Sequence, residues 1–570
     1  MPSPRLFLAG TALLAVVAMI YTSHLLSTSP PILRRFMQVI DSHSAVSPSC
    51  PGSATSKNQD DLLSCLQSIQ DNSRRLGVCS STESFLTTPS SSLYNTERLA
   101  YNWNLDFLPL AIFHPGCEAD AAAAIRCAAV HNVTVAPRCG GHSFEGYGVG
   151  GKDGALVIDL DRLQKFHLDP LTGVATVGAG TRLGPLYGRL WNSEAGRYLV
   201  SGGICPAVGV SGLILGGGLG ILHRQYGLAM DNVVGMTMID AHGKIHTIDA
   251  PPRGGTPAPV VAAANAAQKE YSASSDMDLF WALRGAGSGN FGVVTEFRIQ
   301  AYKAPPRFAS MLVSYPIDAA ATVIDAFGKW IQGLPDNITP GLILHSKSAS
   351  LVINSIGTED QLLVHVDPLL QAIGLPPSTP YEVFQGDWWE AIRWRTNITG
   401  YKGDVAQPDL SAHRYFRGSS LVYRQPMSSQ EREIIVQHMT HPPEGYESIY
   451  VSMETWGGQV NHPAWPSAFD NHRGVLYSIQ YAVRWNDPLS KIGALCKPCL
   501  DWHASMAKGL QAAYSSGPIL EAYQNYIDMS IPNQLEAYYG DNLARLVEIK
   551  RRVDPNNVFR FAQSIPLSLT

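Results

Sequence analysis

An α+β fold in two parts is what this sequence predicts. Helix and strand patterns are mixed through the first half, two-residue alternation recurs from about residue 306 to 520, and an amphipathic helix closes the chain before Asp554-Pro555. Ala119 to His131 carries small and apolar residues at helical spacing and feeds a short strand, Val133-Thr-Val-Ala136. Ala155 to Leu160, Val174 to Val177 and Lys244 to Ile248 read as further strands separated by Gly and Pro turns. Pro251 to Ser275, rich in Ala, Pro and Ser, reads as a surface insertion. Ser310 to Tyr315 and Val475 to Tyr481 alternate as strands of a sheet with one polar, substrate-facing side. Leu535 to Val553 reads as one helix with Leu543, Leu546 and Val547 on its buried face.

At 570 residues the chain exceeds one small module, and 45% hydrophobic against 16% charged residues supplies a large core and excludes global disorder. A net charge of −5 gives no general pull toward phosphate backbones, so nucleic acid is not an expected partner. Leu6 to Tyr21 is an uncharged apolar run behind a short basic start, as in a secretory signal. Extended to Leu26 it approaches the roughly 20 residues of a membrane span, so residues 1–26 read as a signal peptide or a signal anchor. Residues 27–59 form a Ser-, Pro- and Gly-rich linker. The product is expected to be secreted, or tethered with its body on the lumenal or extracellular side.

Nine cysteines (50, 65, 79, 117, 127, 139, 205, 496 and 499) suit an oxidising compartment, and the odd number leaves at least one without an intramolecular partner. Cys496-Lys-Pro-Cys499 lacks a second C-x-x-C or a thioredoxin-like context, so it reads as a structural disulfide, and no metal site is expected. Asn132-Val-Thr, Asn337-Ile-Thr and Asn397-Ile-Thr are glycosylation sequons.

Three glycine-rich segments carry the chemistry. Pro137-Arg-Cys-Gly-Gly-His142-Ser-Phe-Glu-Gly-Tyr-Gly148 follows a strand, and its glycines let main-chain N–H groups approach an anionic ligand while displaying His142. Ser201 to Gly212 sets Cys205 between glycines and a proline, a setting for a thiol that meets a ligand. Leu279 to Thr295 is an apolar stretch opening into a third glycine loop. The Leu215 to Gly220 run lacks a following Gly-Lys-Ser/Thr and a ribose-binding acid, which disfavours a P-loop or a Rossmann site. Taken singly, each segment also admits a structural reading.

Together, Gly140-Gly-His-Ser143, Gly203-Ile-Cys-Pro-Ala-Val-Gly209, Leu279 to Gly285 with Gly289 to Val294, and the C-terminal Tyr538 to Leu546, Asp554 to Phe559 and Gln563 to Pro566 resemble the berberine-bridge-enzyme-like flavin oxidases. These have a vanillyl-alcohol-oxidase-type FAD domain and include the fungal oligosaccharide oxidases. The resemblance spans about residues 60 to 566. It implies a two-part FAD-binding domain with mixed sheets and helices at 60–305, a substrate domain with a large antiparallel sheet covered by helices at 306–520, and a segment at 521–570 returning to the FAD domain.

The resemblance further implies bicovalent FAD, with His142 bonded to the flavin 8α-methyl carbon and Cys205 to C6. Arg138, Cys139, Gly140, Gly141, Ser143, Gly203, Val208, Gly209 and Asn557 would complete the cofactor site. The eight remaining cysteines would allow up to four disulfides, and the family pattern suggests Cys65 with Cys127. Tyr526 is the favoured base, with Tyr523 close behind, because Gln480 stands where berberine bridge enzyme has Glu. Val208, at the position thought to gate oxygen, favours an oxidase. Phe144 replaces a tyrosine that contacts substrate in many relatives, and Cys139 replaces a common serine.

The expected activity is hydride removal from an alcohol or a sugar hemiacetal to flavin, with O₂ reduced to H₂O₂ by a monomer acting on a small molecule or an oligosaccharide. The alternative on the same scaffold is a secondary-metabolite enzyme that oxidises an alcohol or closes a ring. From other classes, a flavin-bearing binding protein and a Rossmann enzyme with exchangeable NAD remain.

Overall fold

The computed structural model describes residues 55–76, 79, 83–251, 269–401, 403–411 and 413–569. The predicted signal or anchor, linker residues 27–54, Cys50 and residues 252–268 of the expected insertion lie outside them. No helix among the described residues is long and apolar enough to cross a membrane.

Helix α1 (Thr55–Leu76) sends Leu62 and Leu66 into the core, and Cys65–Cys127 ties it to α2 (Glu118–Val130). Closing that 62-residue separation stabilises by about 4 kcal/mol in the chain-entropy account. Cys79–Cys117 and Cys496–Cys499 are also bonded, the latter as the sequence suggested. The described disulfides are therefore three, since Cys139 stays a buried free thiol.

The first sheet runs β1-β2-β4-β3, with β1 (Phe85–Thr87) antiparallel and β2 (Ala111–His114), β4 (Leu156–Asp159) and β3 (Val135–Arg138) parallel. Every residue of β2 and β4 is buried, as parallel strands covered on both faces require. A second, antiparallel sheet runs β5-β6-β9-β7-β8. Its strands are β5 (Phe166–Leu168), β6 (Val174–Gly178), β7 (Val233–Ile239), β8 (Ile245–Asp249) and β9 (Val293–Gln300). One hydrophobic core joins both sheets to α1, α2, α3 (Leu183–Trp191) and α4 (Lys269–Ala282). Helix α4 begins inside the stretch assigned from sequence to the insertion.

The third sheet has seven antiparallel strands: β10 (Phe308–Pro316), β11 (Ile338–His345), β12 (Ser348–Ile356), β13 (Glu382–Gly386), β14 (Tyr415–Tyr423), β15 (Tyr446–Thr455) and β16 (Tyr477–Trp485). Their order is β13-β10-β12-β11-β15-β16-β14. Ile449, Val451 and Met453 of β15 and Ile479, Tyr481 and Val483 of β16 pack into a second core under α5 (Ala320–Trp330), α6 (Glu359–Ile373), α8 (Ser429–Thr440) and α9 (Lys497–Ala513). Period-2 alternation sends Ser452, Glu454, Ser478 and Gln480 to the opposite face. Helix α7 (Trp388–Ile398) packs Trp388, Ala391 and Ile392 into the first core.

The single terminal helix expected over Leu535–Val553 is broken. A short helix, Gln534–Tyr539, ends at Gly540 (φ 48°, ψ −132°), and α10 (Leu543–Val553) follows. Lys550 of α10 is fully buried, and its Nζ donates to Asp554 Oδ2, Asn290 O and Phe559 O, each at 2.6 Å. Val135 N donates to Val558 O at 3.0 Å, so this tail is stitched to the edge of β3. Lys550→Met would leave Asp554 as an uncompensated buried charge, and a loss of about 3–5 kcal/mol is expected. A melting temperature equal to wild type by differential scanning calorimetry would refute it.

Candidate functional site

The strand β3 ends in Arg138, and the chain then turns through Cys139, Gly140 and Gly141. A Cβ on Gly140 would lie 2.4 Å from Gly209 N, and a Cβ on Gly209 would lie 2.4 Å from Cys139 Sγ. Only glycine allows these two loops to touch, and the contact brings the His142 and Cys205 segments to one place. Cys139 has a structural position here: it is buried, it donates to Thr181 O at 3.4 Å, and burial pushes its thiol up.

The loops wall a cavity of about 250 Å³. Arg138, Cys139, Gly140, Gly141, His142, Ser143, Val208, Gly209 and Tyr526 line it. The sequence reading missed Tyr101, Ser211, Arg560 and Phe561, which line it too. His142 stacks on Tyr101 with centroids 4.1 Å apart and planes at 15°. It lines the cavity, and burial, aided by the Arg182 and His413 charges, pushes its pKa down to about 3. The imidazole is neutral and carries a free lone pair. Cys205 is solvent-exposed at its tip but set deep enough in surrounding protein that burial raises its thiol pKa, against N–H bonds from Ala207 and Val208 and the charges of Arg484 and Arg182.

Tyr526 ends a short 3-10 turn, Gln524–Tyr526, and stacks on Phe144 at 5.6 Å and 19°. Its hydroxyl donates to Glu454 Oε1 at 2.7 Å. Ser478, the cross-strand partner of Glu454, donates to Oε2 at 3.4 Å. Burial raises the Glu454 pKa to about 7, although hydrogen bonds from Tyr526 and Ser478 and the charge of Arg395 pull it down. Burial and the Glu454 charge hold the Tyr526 phenol well above 10. Near neutrality Glu454 is therefore part ionised while Tyr526 keeps its proton.

Tyr523 does not join this pair. Its hydroxyl accepts from Gly218 N at 2.8 Å and Asn525 Nδ2 at 3.0 Å, which commits it to anchoring the Gly216 to Gly220 turn. Gln480 shares the polar face with Glu454 but sits one pleat beyond Ser478, opposite Ser452 and Ser420, and off the cavity wall. Gly203 is also off the wall; its carbonyl accepts from Tyr187 at 2.6 Å. Asn557 occupies a left-handed turn (φ 51°) after α10, and the neighbouring Arg560 and Phe561 reach the cavity instead. Glu454 was the main residue missed. Its signal was a lone acid on the polar register of Tyr450-Val-Ser452-Met-Glu454.

The residues fit a flavin dinucleotide. Glycine walls would accept a flat ring, the guanidinium of Arg560 and the hydroxyls of Ser143 and Ser211 offer donors to an anionic linker, and the His142 imidazole lies on the wall, whereas Cys205 stands off it on the loop that brings Val208 and Gly209 to the wall.

The family pattern described as FAD binding domain matches residues 109–249, and that described as berberine and berberine like matches residues 522–566. A chitooligosaccharide oxidase of Gibberella zeae is 30% identical over 489 residues, covering 83% of this chain and 91% of the relative. A xylooligosaccharide oxidase of Thermothelomyces thermophilus is 29% identical over 496 residues, covering 84% and 92%. The solved structure of a BBE-like protein of Physcomitrella patens superposes with a TM-score of 0.75 at 28% identity, over 89% of this chain and 100% of that one. The chain belongs to the berberine-bridge-enzyme-like FAD-linked oxidases.

Proposed function

We propose that this FAD-linked oxidoreductase oxidises the reducing-end hemiacetal of an oligosaccharide to a lactone. The observation that carries the reading is the 2.7 Å bond from Tyr526 to Glu454 at a cavity whose wall also holds His142. The names of the two curated relatives supply the sugar class. Residues 60–305 would hold FAD, 306–520 would supply the substrate sheet, and 521–570 would return Tyr526 to the site. Three disulfides support export to an oxidising compartment, where the protein would act as a monomer.

FAD would be held through His142 and Cys205, and when bound it supplies the hydride acceptor that O₂ reoxidises, giving H₂O₂. The chain supplies the proton transfer. Tyr526 accepts the substrate hydroxyl proton while its own proton moves to Glu454, so no free phenolate forms beside a carboxylate. Ser478 holds the second carboxylate oxygen in place. Phe144 offers an apolar face beside Tyr526.

Three outcomes test this. After acid precipitation the wild-type pellet should remain yellow, as should His142→Ala and Cys205→Ala singly, while the double variant releases its flavin; a colourless wild-type pellet refutes the covalent links. The kcat/KM for a cello-, chito- or xylo-oligosaccharide, read by peroxide, should rise with pH through about 7 as Glu454 ionises, and Glu454→Gln should abolish that limb. Tyr526→Phe should lower kcat by about 10²- to 10⁴-fold, whereas Tyr523→Phe should mainly lower thermal stability. No peroxide from any oligosaccharide would sink the sugar assignment.

A further inference from the structure

His223 is a buried titratable group that takes no part in the proton transfer described above. It opens a short helix, His223–Tyr226, directly after the Gly216 to Gly220 turn, and is 2% exposed. Its Nε2 lies 2.6 Å from the carbonyl oxygen of Thr455, the last residue of β15 and the chain neighbour of Glu454. Its Nδ1 accepts from Gly220 N at 3.3 Å and lies 2.5 Å from Gly220 O. One imidazole therefore joins the glycine turn to the strand end that carries Glu454.

The turn is a rigid base for that tie. A Cβ on Gly220 would lie 1.6 Å from Gly202 O, so the turn packs backbone to backbone against the segment that carries Cys205. Tyr523 holds the same turn through Gly218 N, Tyr526 N donates to Tyr523 O at 2.9 Å, and the Tyr526 hydroxyl reaches Glu454. These bonds close a ring that runs from the turn through Tyr523, Tyr526, Glu454, Thr455 and His223 back to the turn. In such a ring the spacing of Tyr526 and Glu454 depends on every member, not on those two side chains alone.

Thr455 is fully buried, so its carbonyl needs a protein donor. Burial pushes the His223 pKa down to about 4, against the pull of its two backbone bonds, and near neutrality the ring carries a single N–H. With that N–H on Nε2 both segments are served, because Thr455 O receives a donor and Nδ1 receives Gly220 N. A second proton, taken up at low pH, goes to Nδ1 opposite Gly220 O. The neighbouring Arg224 bonds the carbonyls of Leu334, Ile338 and Trp456, and so grips the residue after Thr455. Arg224 is the charge that His223 faces, whereas Glu454 faces Tyr526, Tyr523, Tyr450 and Arg395.

We propose that His223 is a positioning residue, which by donating from Nε2 to Thr455 O holds Glu454 at bonding distance from Tyr526. This rests on the assignment of proton transfer to that pair.

The test compares the intact flavoprotein with His223→Asn, whose amide falls where Nδ1 lies and does not reach Thr455, and with His223→Gln, whose amide falls where Nε2 lies. The Glu454 midpoint is read without substrate, from the protonated-carboxyl band in pH-difference infrared spectra, assigned by its loss in Glu454→Gln. In the wild type it should lie near 7. The bond from Tyr526 pulls the Glu454 pKa down, so weakening it in His223→Asn should raise the midpoint by about half a unit or more. The kcat on an oligosaccharide should fall about tenfold or more in that variant with KM little changed, and His223→Gln should restore both readings toward wild type. An unchanged midpoint and kcat in His223→Asn, with only the melting temperature lowered, overturns the proposal, because Arg224 then holds the strand end by itself. Equal impairment of the two variants overturns it as well. If His223→Asn yields no folded flavoprotein, His223→Gln decides alone: a wild-type midpoint supports the tie and a raised one overturns it. Absence of any carboxyl titration near 7 in the wild type sinks the proton-transfer assignment and this inference together, whereas the expected midpoints with no peroxide from any oligosaccharide sink the sugar assignment and leave the positioning role standing.

Discussion

Arg417 is the constraint on which the geometry of the site depends. From β14 its guanidinium reaches Glu145 Oε1 at 2.8 Å and Asp528 Oδ1 at 2.5 Å. Glu145 directly follows Phe144 and lies three residues after His142, and Asp528 lies two residues after Tyr526. One cation therefore ties the glycine loop, the large sheet and the C-terminal segment together. Asp528 is fully buried, and the Arg417 charge pulls its pKa down against the effect of burial, with Ser530 donating to it from both its backbone N–H and its hydroxyl. Glu145 also accepts from Met529 N at 2.9 Å, which closes the ring back onto the segment that carries Tyr526. With both carboxylates satisfied by one planar fork, small shifts of the sheet cannot occur without breaking charge-assisted bonds in a low-dielectric setting.

That clamp explains why Tyr526 and Phe144 hold a stacked geometry although they are 382 positions apart in sequence. It also separates two kinds of buried charge. Around Arg417 and Lys550 every charge has a bonded counter-charge, as a structural joint requires. Around Tyr526 the carboxylate of Glu454 has hydroxyl partners only, and the nearest guanidiniums are unbonded to it. The first arrangement joins segments distant in sequence, whereas the second leaves a carboxyl poised near neutrality beside a phenol on the cavity wall.

Much of this was legible in the sequence because it resides in local chemistry. His142 and Cys205 stand in glycine-rich segments that are ambiguous singly and gain a role only through the resemblance the segments carry together, and the alternation in 475–481 placed a strand with one polar face. Glu454 was not legible, because its role depends on the register that sets it opposite Ser478 and below Tyr526, a relation between segments about 70 residues apart. Tyr526 could be placed only narrowly ahead of Tyr523 for a similar reason. They sit three apart in a plain tyrosine-rich stretch, and only the 3-10 turn between them, which sets the rings at 88°, sends one hydroxyl to the glycine turn and the other to Glu454. The break at Gly540 was hidden because the apolar spacing beyond it is helical on either side; backbone conformation at one glycine, not hydrophobic pattern, decides it.

Phe144 and Cys139 show how a departure in residue type can be absorbed by packing. Phe144 lies edge-on to Phe416 at 4.9 Å and flat against Tyr526, so the ring fixes the orientation of the phenol from one side while Tyr523 abuts it from another. A hydroxyl at that position would need a partner in a wall otherwise made of aromatic faces. Without it the ring beside Tyr526 is purely apolar, and polar side chains such as Gln480 and Ser452 stand on the face of the sheet. Cys139 is likewise accommodated, since its thiol packs under Gly209 and donates to Thr181 O. Both changes leave the glycine contact and the Arg417 clamp untouched, so the frame that positions His142 and Tyr526 persists while the ligand-facing surface differs.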